Sequence, residues 1–500
     1  MSKDINNLTS MLKNANYLLI DNLDALALCK KNGLNKSTKI ISFNPYLVLG
    51  LNTKIVSPEQ DISAKYYTDL SMITKYFTGK IYNKVYSFSN DNSLAIYIAR
   101  YVILIQNLIH KTSLVTDLVK DSNLVVIFPD YSKKSLNSSI NGKFYNILEN
   151  QKNIKTYKLS YKGQDQTRMG RDPISNFWLR FNFEGINSLL FRLFVIFCDK
   201  FNFLWKGKRV LFSHENTLLK GTASYLFRKG FFIQKLSANL ANNNLYKSKI
   251  LDDITNITNP IMTEFQEKII LEKITIKNEL FFKMQLKKYI SDYFNYKSFW
   301  EKYFTNTKNK NIFACLIGTP GGPKELSCIE VAKKSGILTA SFQHGIAKEI
   351  SSDLLSIDAL YESNLVDHYF VYNNKAADNS KKSRFNISKE SIVGLAEDMK
   401  KGLKKKKNIY KTHPVLYVST TLYCGNRGIP SRSGSSDLSK ANFELNIIKN
   451  VLSKIPHKVH YKPYYSKRYS GPSIELELAK NKDNIYINNE EVDLRYIIGN

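Results

Sequence analysis

The sequence predicts an α/β protein of two Rossmann-like domains with parallel sheets, and three observations carry that prediction. Short apolar, β-branched runs alternate with helical stretches along the whole chain, complete strand–helix–strand units can be read in it, and the alternation restarts after a lysine-rich break. Parallel strands need a covering crossover, so strands recurring with helices between them imply sheets buried on both faces.

Tyr17–Ile20, Lys39–Ser42, Val85–Phe88 and Leu124–Phe128 read as early strands, with helices over Asp24–Lys31 and Ser93–His110 between them. Arg209–Ser213 (RVLFS), a helix from Thr217 and Phe231–Leu236 (FFIQKL) make one βαβ unit. Asn311–Ile317, a helix from Pro323 and Leu338–Phe342 make a second, and a mixed-charge amphipathic stretch at about 261–305 reads as a helical insertion of one bent helix or two. The run KKGLKKKK at 400–407, followed by Lys411, is self-repelling and reads as a linker over 400–411 between domains 1–399 and 412–500. Beyond it follow strand Val415–Ser419, helix Leu438–Leu452, strands Lys458–Tyr461 and Asn484–Ile487, and helix Glu491–Ile498. About ninety residues are fewer than a complete doubly wound half needs, so the second domain is expected to be incomplete at Asn500.

Composition narrows the function classes. The chain has 500 residues, and 43% hydrophobic against 23% charged content excludes a mostly disordered chain, while 22 Gly and 12 Pro exclude fibrous classes. Lys and Arg number 73 against 43 Asp and Glu, a net +30 that favours phosphate-rich or anionic partners: nucleic acid, anionic lipid or anionic sugar. Part of this excess belongs to a general Asn–Lys–Ile bias. Cys29, Cys198, Cys315, Cys328 and Cys424 are scattered without paired spacing, which points to reduced thiols in the cytoplasm, with neither disulfide nor zinc site. The first residues hold no continuous apolar run, so no signal peptide is expected. Leu189–Phe197 (LLFRLFVIF) is too short to span a bilayer; it reads as a buried helix, or as one lying on the inner membrane surface.

Four segments are candidates for chemistry, each at a predicted strand end, where ligands of open α/β sheets bind. The first is Ser213–Asn216, in which Glu215 is a candidate general acid or base; Asn216 serves equally as the cap of the next helix. The second is Gly318–Glu325, a glycine-rich loop containing Thr319 whose free amides suit an anion, though a tight turn with no ligand explains it equally well. The third is Ser341–Gly345, where His344, with Gln343 and Gly345, suits a phosphate, carboxylate or sugar hydroxyl. The fourth lies past the linker: Ser419, Thr420, Thr421 and Arg427 after one strand, Lys462 and Tyr464 after the next. Hydroxyls, amides and cations there match a nucleotide's phosphate; a solvated basic surface is the plainer alternative. No HExxH, CxxC, GxSxG, P-loop or DxD occurs, so no metal and no cofactor is expected.

In order, SFQHG, VDHYFVYNN (Val366–Asn374), SIVGL (Ser391–Leu395), the linker, VLYVS and HYKPYY resemble bacterial surface-carbohydrate transferases of the GT-B fold, especially the Kdo transferases of capsule and O-antigen assembly. The likeness runs from about Arg209 to Asn500. It implies a GT-B-like pair of domains, 1–399 on the acceptor side and 412–500 on the donor side. It implies that His344 and Gly345 line the cleft near the sugar, that Lys462 and Tyr464 approach the nucleotide of a CMP-activated sugar, and that Glu215–Asn216 face the acceptor. Tyr464 stands where relatives often carry His.

The function implied is a glycosyltransferase moving an acidic 2-keto sugar, Kdo or a nonulosonate, from its CMP donor to a surface polysaccharide or lipid-linked glycan. The expected location is cytoplasmic, peripheral on the inner face of the membrane, with no nucleic-acid partner. Two alternatives stand beside it: polyol-phosphate transfer of the teichoic-acid type, with His344 as base, and a non-catalytic polyanion-binding protein.

Overall fold

The structure is a computed structural model and describes residues 2–21, 23–50, 55–120, 122–129, 140–151, 153–159, 193–198, 201, 207–213, 217–238, 248–269, 276–306, 311–318, 320–343, 365–382, 386–395, 415–421, 436–464 and 474–487. The linker 400–411 and the helix expected over Glu491–Ile498 lie outside them.

Alternate residues of the first strand enter different apolar layers, which is what a strand covered on both faces requires. That sheet comprises β1 (Tyr17–Leu19), β2 (Lys39–Ile41), β3 (Ile55–Val56), β4 (Leu124–Pro129) and β5 (Ile154–Leu159), in the order β3-β2-β1-β4-β5 and parallel throughout. Its helices are α1 (Ser2–Lys13), α2 (Leu23–Lys31), α3 (Pro45–Leu49), α4 (Ala64–Ser89), α5 (Asn92–Val119) and α6 (Ile140–Glu149). Leu18 and Ile20 pack with α1 and α2, whereas Leu19 packs with α4, α5 and α6.

Val85–Phe88, expected as a strand, is the C-terminal part of α4. Ser63 caps that helix at its start and Asn90, at φ 49°, closes it, so the local β-formers are enclosed in a 26-residue helix packed on α5. Packing along the hairpin outweighs the fractions of a kcal/mol that separate their helix propensities. Among the described residues one helix, α5, is long and apolar enough to cross a membrane, and 89% of its apolar window is buried within the fold.

The second sheet contains β6 (Arg209–Ser213), β7 (Phe232–Lys235), β8 (Ile312–Ile317), β9 (Leu338–Phe342), β10 (His368–Val371) and β11 (Lys389–Ile392), ordered β11-β10-β9-β8-β6-β7 and parallel. Its helices are α7 (Thr217–Arg228), α8 (Lys249–Ile269), α9 (Ile276–Thr305), α10 (Pro323–Lys334) and α11 (Asn374–Lys381). The amphipathic stretch expected as an insertion is the end of α8 together with α9, which form the crossover from β7 to β8. Both helices join α4 and α5 in the largest apolar cluster, so one continuous core ties the first two sheets together. Residues 1–399 hold two parallel sheets that share this core.

The third sheet is β12 (Val415–Thr421), β13 (Val459–Tyr464) and β14 (Ile485–Ile487), parallel and in sequence order, with α12 (Asp437–Asn450) and α13 (Ile474–Lys480). It meets the first sheet through α3, where Tyr46 and Leu49 pack against Leu445 and Ile474. All three sheets are α/β in the sense expected.

Candidate functional site

Strand order reverses in the second sheet between β6 and β8: β7 lies outside β6, and the later strands lie beyond β8. Such a switch opens a crevice at the strands' carboxyl ends. Here Ser213 pairs with Ile317, Ile317 pairs with Ser341, and the Gly318 amide donates to the Ser213 carbonyl at 3.2 Å. The first three sequence candidates thus leave the sheet from three neighbouring strands, β6, β8 and β9. Glu215, Asn216, Thr319, His344 and Gly345 themselves lie outside the described residues, as does Arg427.

Gln343 is fully buried just past β9: its amide donates to the Phe370 carbonyl, and its Oε1 accepts from the Tyr372 amide at 2.9 Å. This locks the backbone at the last described position before His344. Beside it, the Ser213 and Ser341 hydroxyls are buried with no hydrogen-bond partner, two polar groups on one face of the strands that flank β8, with Ile317 between them.

The glycine-rich loop is served from within. Gly322 caps α10 with no side-chain bond, but a Cβ there would lie 2.8 Å from Glu325 Oε2, so that carboxylate sits over the helix's first turn. Glu325 is buried and pairs with Lys324 at 3.4 Å, and the Lys324 carbonyl accepts from Trp300 Nε1. The positive end of α10 therefore already has an anion, and a ligand at this loop would have to compete with it.

In the third sheet, Ser419 hydrogen-bonds Tyr461, and Tyr461 and Tyr417 both donate to the buried Glu444, at 2.7 and 2.9 Å. Ser419 thus takes part in a network facing α12. Lys462, on the alternate face of β13, is buried as well. Thr420 and Thr421 end β12, and Tyr464 ends β13.

A second polar cluster, absent from the sequence candidates, lies at the carboxyl ends of the first sheet. Just past β1, Asp21 accepts from the Ser42 hydroxyl at 3.1 Å and the Phe43 amide at 3.0 Å. The buried Lys111 ammonium stands 4.2 Å over the Phe43 ring. The preceding residue on α5, the fully buried His110, bonds the Tyr66 hydroxyl through Nδ1 at 3.0 Å. Its ring also packs edge-on against Tyr67 at 5.8 Å, while its Nε2 has no partner. Gln106, four residues earlier, is fully buried, and neither amide atom is paired. The Tyr67 phenol is held protonated mainly by burial, with the Glu59 charge adding, and Ser436, the cap of α12, lies close enough to act on it. The cluster therefore stands where the first and third sheets meet. Among the described residues no group of three His, Cys, Asp or Glu side chains is placed to hold a metal.

Burial depresses the His110 imidazole to about 3, with the Lys111 charge adding to the effect, so the ring is neutral at ordinary pH. An unfolded histidine titrates near 6.5, so between roughly pH 6.5 and 3 the unfolded chain binds a proton the folded chain refuses. Stability is therefore lost as pH falls through this window. Between pH 7 and 5 the wild type is expected to lose about 2 kcal/mol more than His110→Phe, measured as the difference in urea unfolding free energies. Equal losses in the two proteins would show that His110 does not set the acid slope.

A cavity of about 310 Å³ lies elsewhere, between the α4–α5 turn and the C-terminal end of α10. Its Lys333 and Lys334 are already paired with Asp367 and Glu330, and it lies at the amino edge of the second sheet, away from these strand ends.

No family model, curated protein or solved structure matches the chain.

Proposed function

We propose that the protein is a glycosyltransferase of the GT-B type that moves an acidic 2-keto sugar from a CMP donor to a hydroxyl of a surface glycan or its lipid-linked precursor. The observation that supports it best is the departure of three chemistry-bearing segments, those of Glu215, Thr319 and His344, from the adjacent ends of β6, β8 and β9 at the switch of the second sheet. In this reading Glu215 removes the acceptor's hydroxyl proton as that oxygen bonds to the anomeric carbon. The bond to the CMP phosphate breaks, and its electron pair leaves on that phosphate. His344, Asn216 and Gly345 position the sugar, and Gln343 holds the backbone from which His344 follows. Arg427, Lys462 and Tyr464, with the hydroxyls of Thr420 and Thr421, stabilise the departing charge. The net charge of +30 favours capture of an anionic donor.

The test is a thermal-shift and calorimetric comparison of CMP, UDP, GDP and CDP-glycerol. Selective stabilisation by CMP is the expected result. Preference for CDP-glycerol would redirect the assignment to polyol-phosphate transfer, and no binding by any of the four would overturn it.

A further inference from the structure

The short helix at 193–198, part of the apolar run singled out in the sequence, is hydrophobic on both sides. Val195 is buried against the second sheet's core and Cys198 is buried too, yet Leu193, Ile196 and Phe197 are 55, 55 and 57% exposed. The apolar surface continues beyond this helix. The Phe194 ring contacts Phe227 of α7 at 4.1 Å, and Phe197 contacts Phe201 at 4.5 Å. On α7, Tyr225 and Phe227 are themselves 54 and 40% exposed. Scattered exposed apolar residues need no explanation, but a contiguous group on two adjacent elements marks an interaction surface.

The charges on α7 and on the strand that follows it are of one sign. The stretch 217–238 carries Lys220, Arg228, Lys229 and Lys235 and not one Asp or Glu. The Lys229 ammonium lies 5.6 Å over the Tyr225 ring, so cation and apolar surface adjoin directly. Lys208 stands likewise 5.1 Å over Phe313.

We infer that this face, built from the helix at 193–198 and the outer side of α7, seats the protein on a lipid bilayer containing anionic headgroups. Leu193, Ile196 and Phe197 enter the headgroup–acyl boundary, where aromatic rings are favoured, and the lysine and arginine heads remain at the level of the lipid phosphates. A second copy of the chain is disfavoured as the occupant. A two-fold contact would bring the patch against itself, cation facing cation, with no carboxylate from 217–238 to answer it. The inference stands on these exposures and charges alone and does not depend on the transferase reading.

The test is co-sedimentation with phosphatidylcholine vesicles, with and without phosphatidylglycerol. The full chain is expected to partition onto the phosphatidylglycerol vesicles and to remain in solution with phosphatidylcholine alone. The pair Ile196→Ser and Phe197→Ser should weaken that partitioning by about tenfold or more, and so should the pair Arg228→Glu and Lys229→Glu. Because these side chains are at the surface, both variants should keep the wild-type melting temperature, which separates lost binding from lost folding. Equal partitioning onto the two kinds of vesicle would overturn the inference, as would unchanged binding by both variants. A wild-type dimer in light scattering that the serine variant abolishes would also overturn it, assigning the face to self-association instead.

Discussion

Asp91→Ala is expected to lower the free energy of unfolding by about 3–5 kcal/mol, measured by equilibrium urea denaturation. Asp91 is buried at the turn between α4 and α5, and its carboxylate serves three partners. Oδ1 accepts from the Leu94 amide at 2.8 Å, which caps α5. The Tyr293 hydroxyl of α9 donates to the carboxylate at 3.1 Å, and Oδ2 pairs with Lys297 at 2.6 Å. Alanine would remove the cap, worth about 1 kcal/mol by itself, and would strand a largely buried ammonium without its anion, the more costly loss. Tyr293 would also lose its acceptor; its phenol is held well above its ordinary range by burial and then by the Asp91 charge, so it acts as a donor. Asn at this position can still cap the helix but cannot neutralise Lys297, so Asp91→Asn should fall between wild type and alanine. A loss below about 1 kcal/mol in the alanine variant would mean that the network contributes little beyond the cap.

Glu215→Gln is expected to reduce turnover by about 10²–10⁴-fold in the proposed transfer reaction while leaving CMP affinity unchanged. The amide matches the carboxylate in size and cannot accept a proton, so the substitution tests base chemistry without removing bulk. Single-turnover rates with an activated sugar, read together with a binding isotherm for CMP, distinguish the possibilities. A parallel fall in nucleotide affinity would place Glu215 with the donor instead of the acceptor. Full activity would exclude it as the base and leave His344 as the candidate.

Much of the architecture is legible in the residues. The runs RVLFS and LTASF lie on strands within a residue or two of where apolar, β-branched patterning puts them. Pro323 opens α10, as its fixed φ favours. These are local properties, carried by neighbours in the chain. The same patterning misreads Val85–Phe88, because their helix is held by α5, a partner whose register the local residues do not encode. The polar cluster on the first sheet left a faint trace: Gln106 and His110 stand four apart on α5, so that both fall on one face of that helix, and both are buried. That Glu59, Tyr67 and Ser436 surround that pair follows from how three separate segments pack.

Strand, helix and turn chemistry in this chain follow from periodicity, propensity and proline or glycine placement, and the α/β class with parallel strands follows in turn. How those strands divide into three sheets, that α8 and α9 weld the first two into one core, and that Glu325 fills the end of its own helix are outcomes of tertiary structure. The physical reason is that alternation along a chain has a short range, whereas sheet membership and burial depend on contacts between residues tens to hundreds of positions apart, which no local pattern specifies.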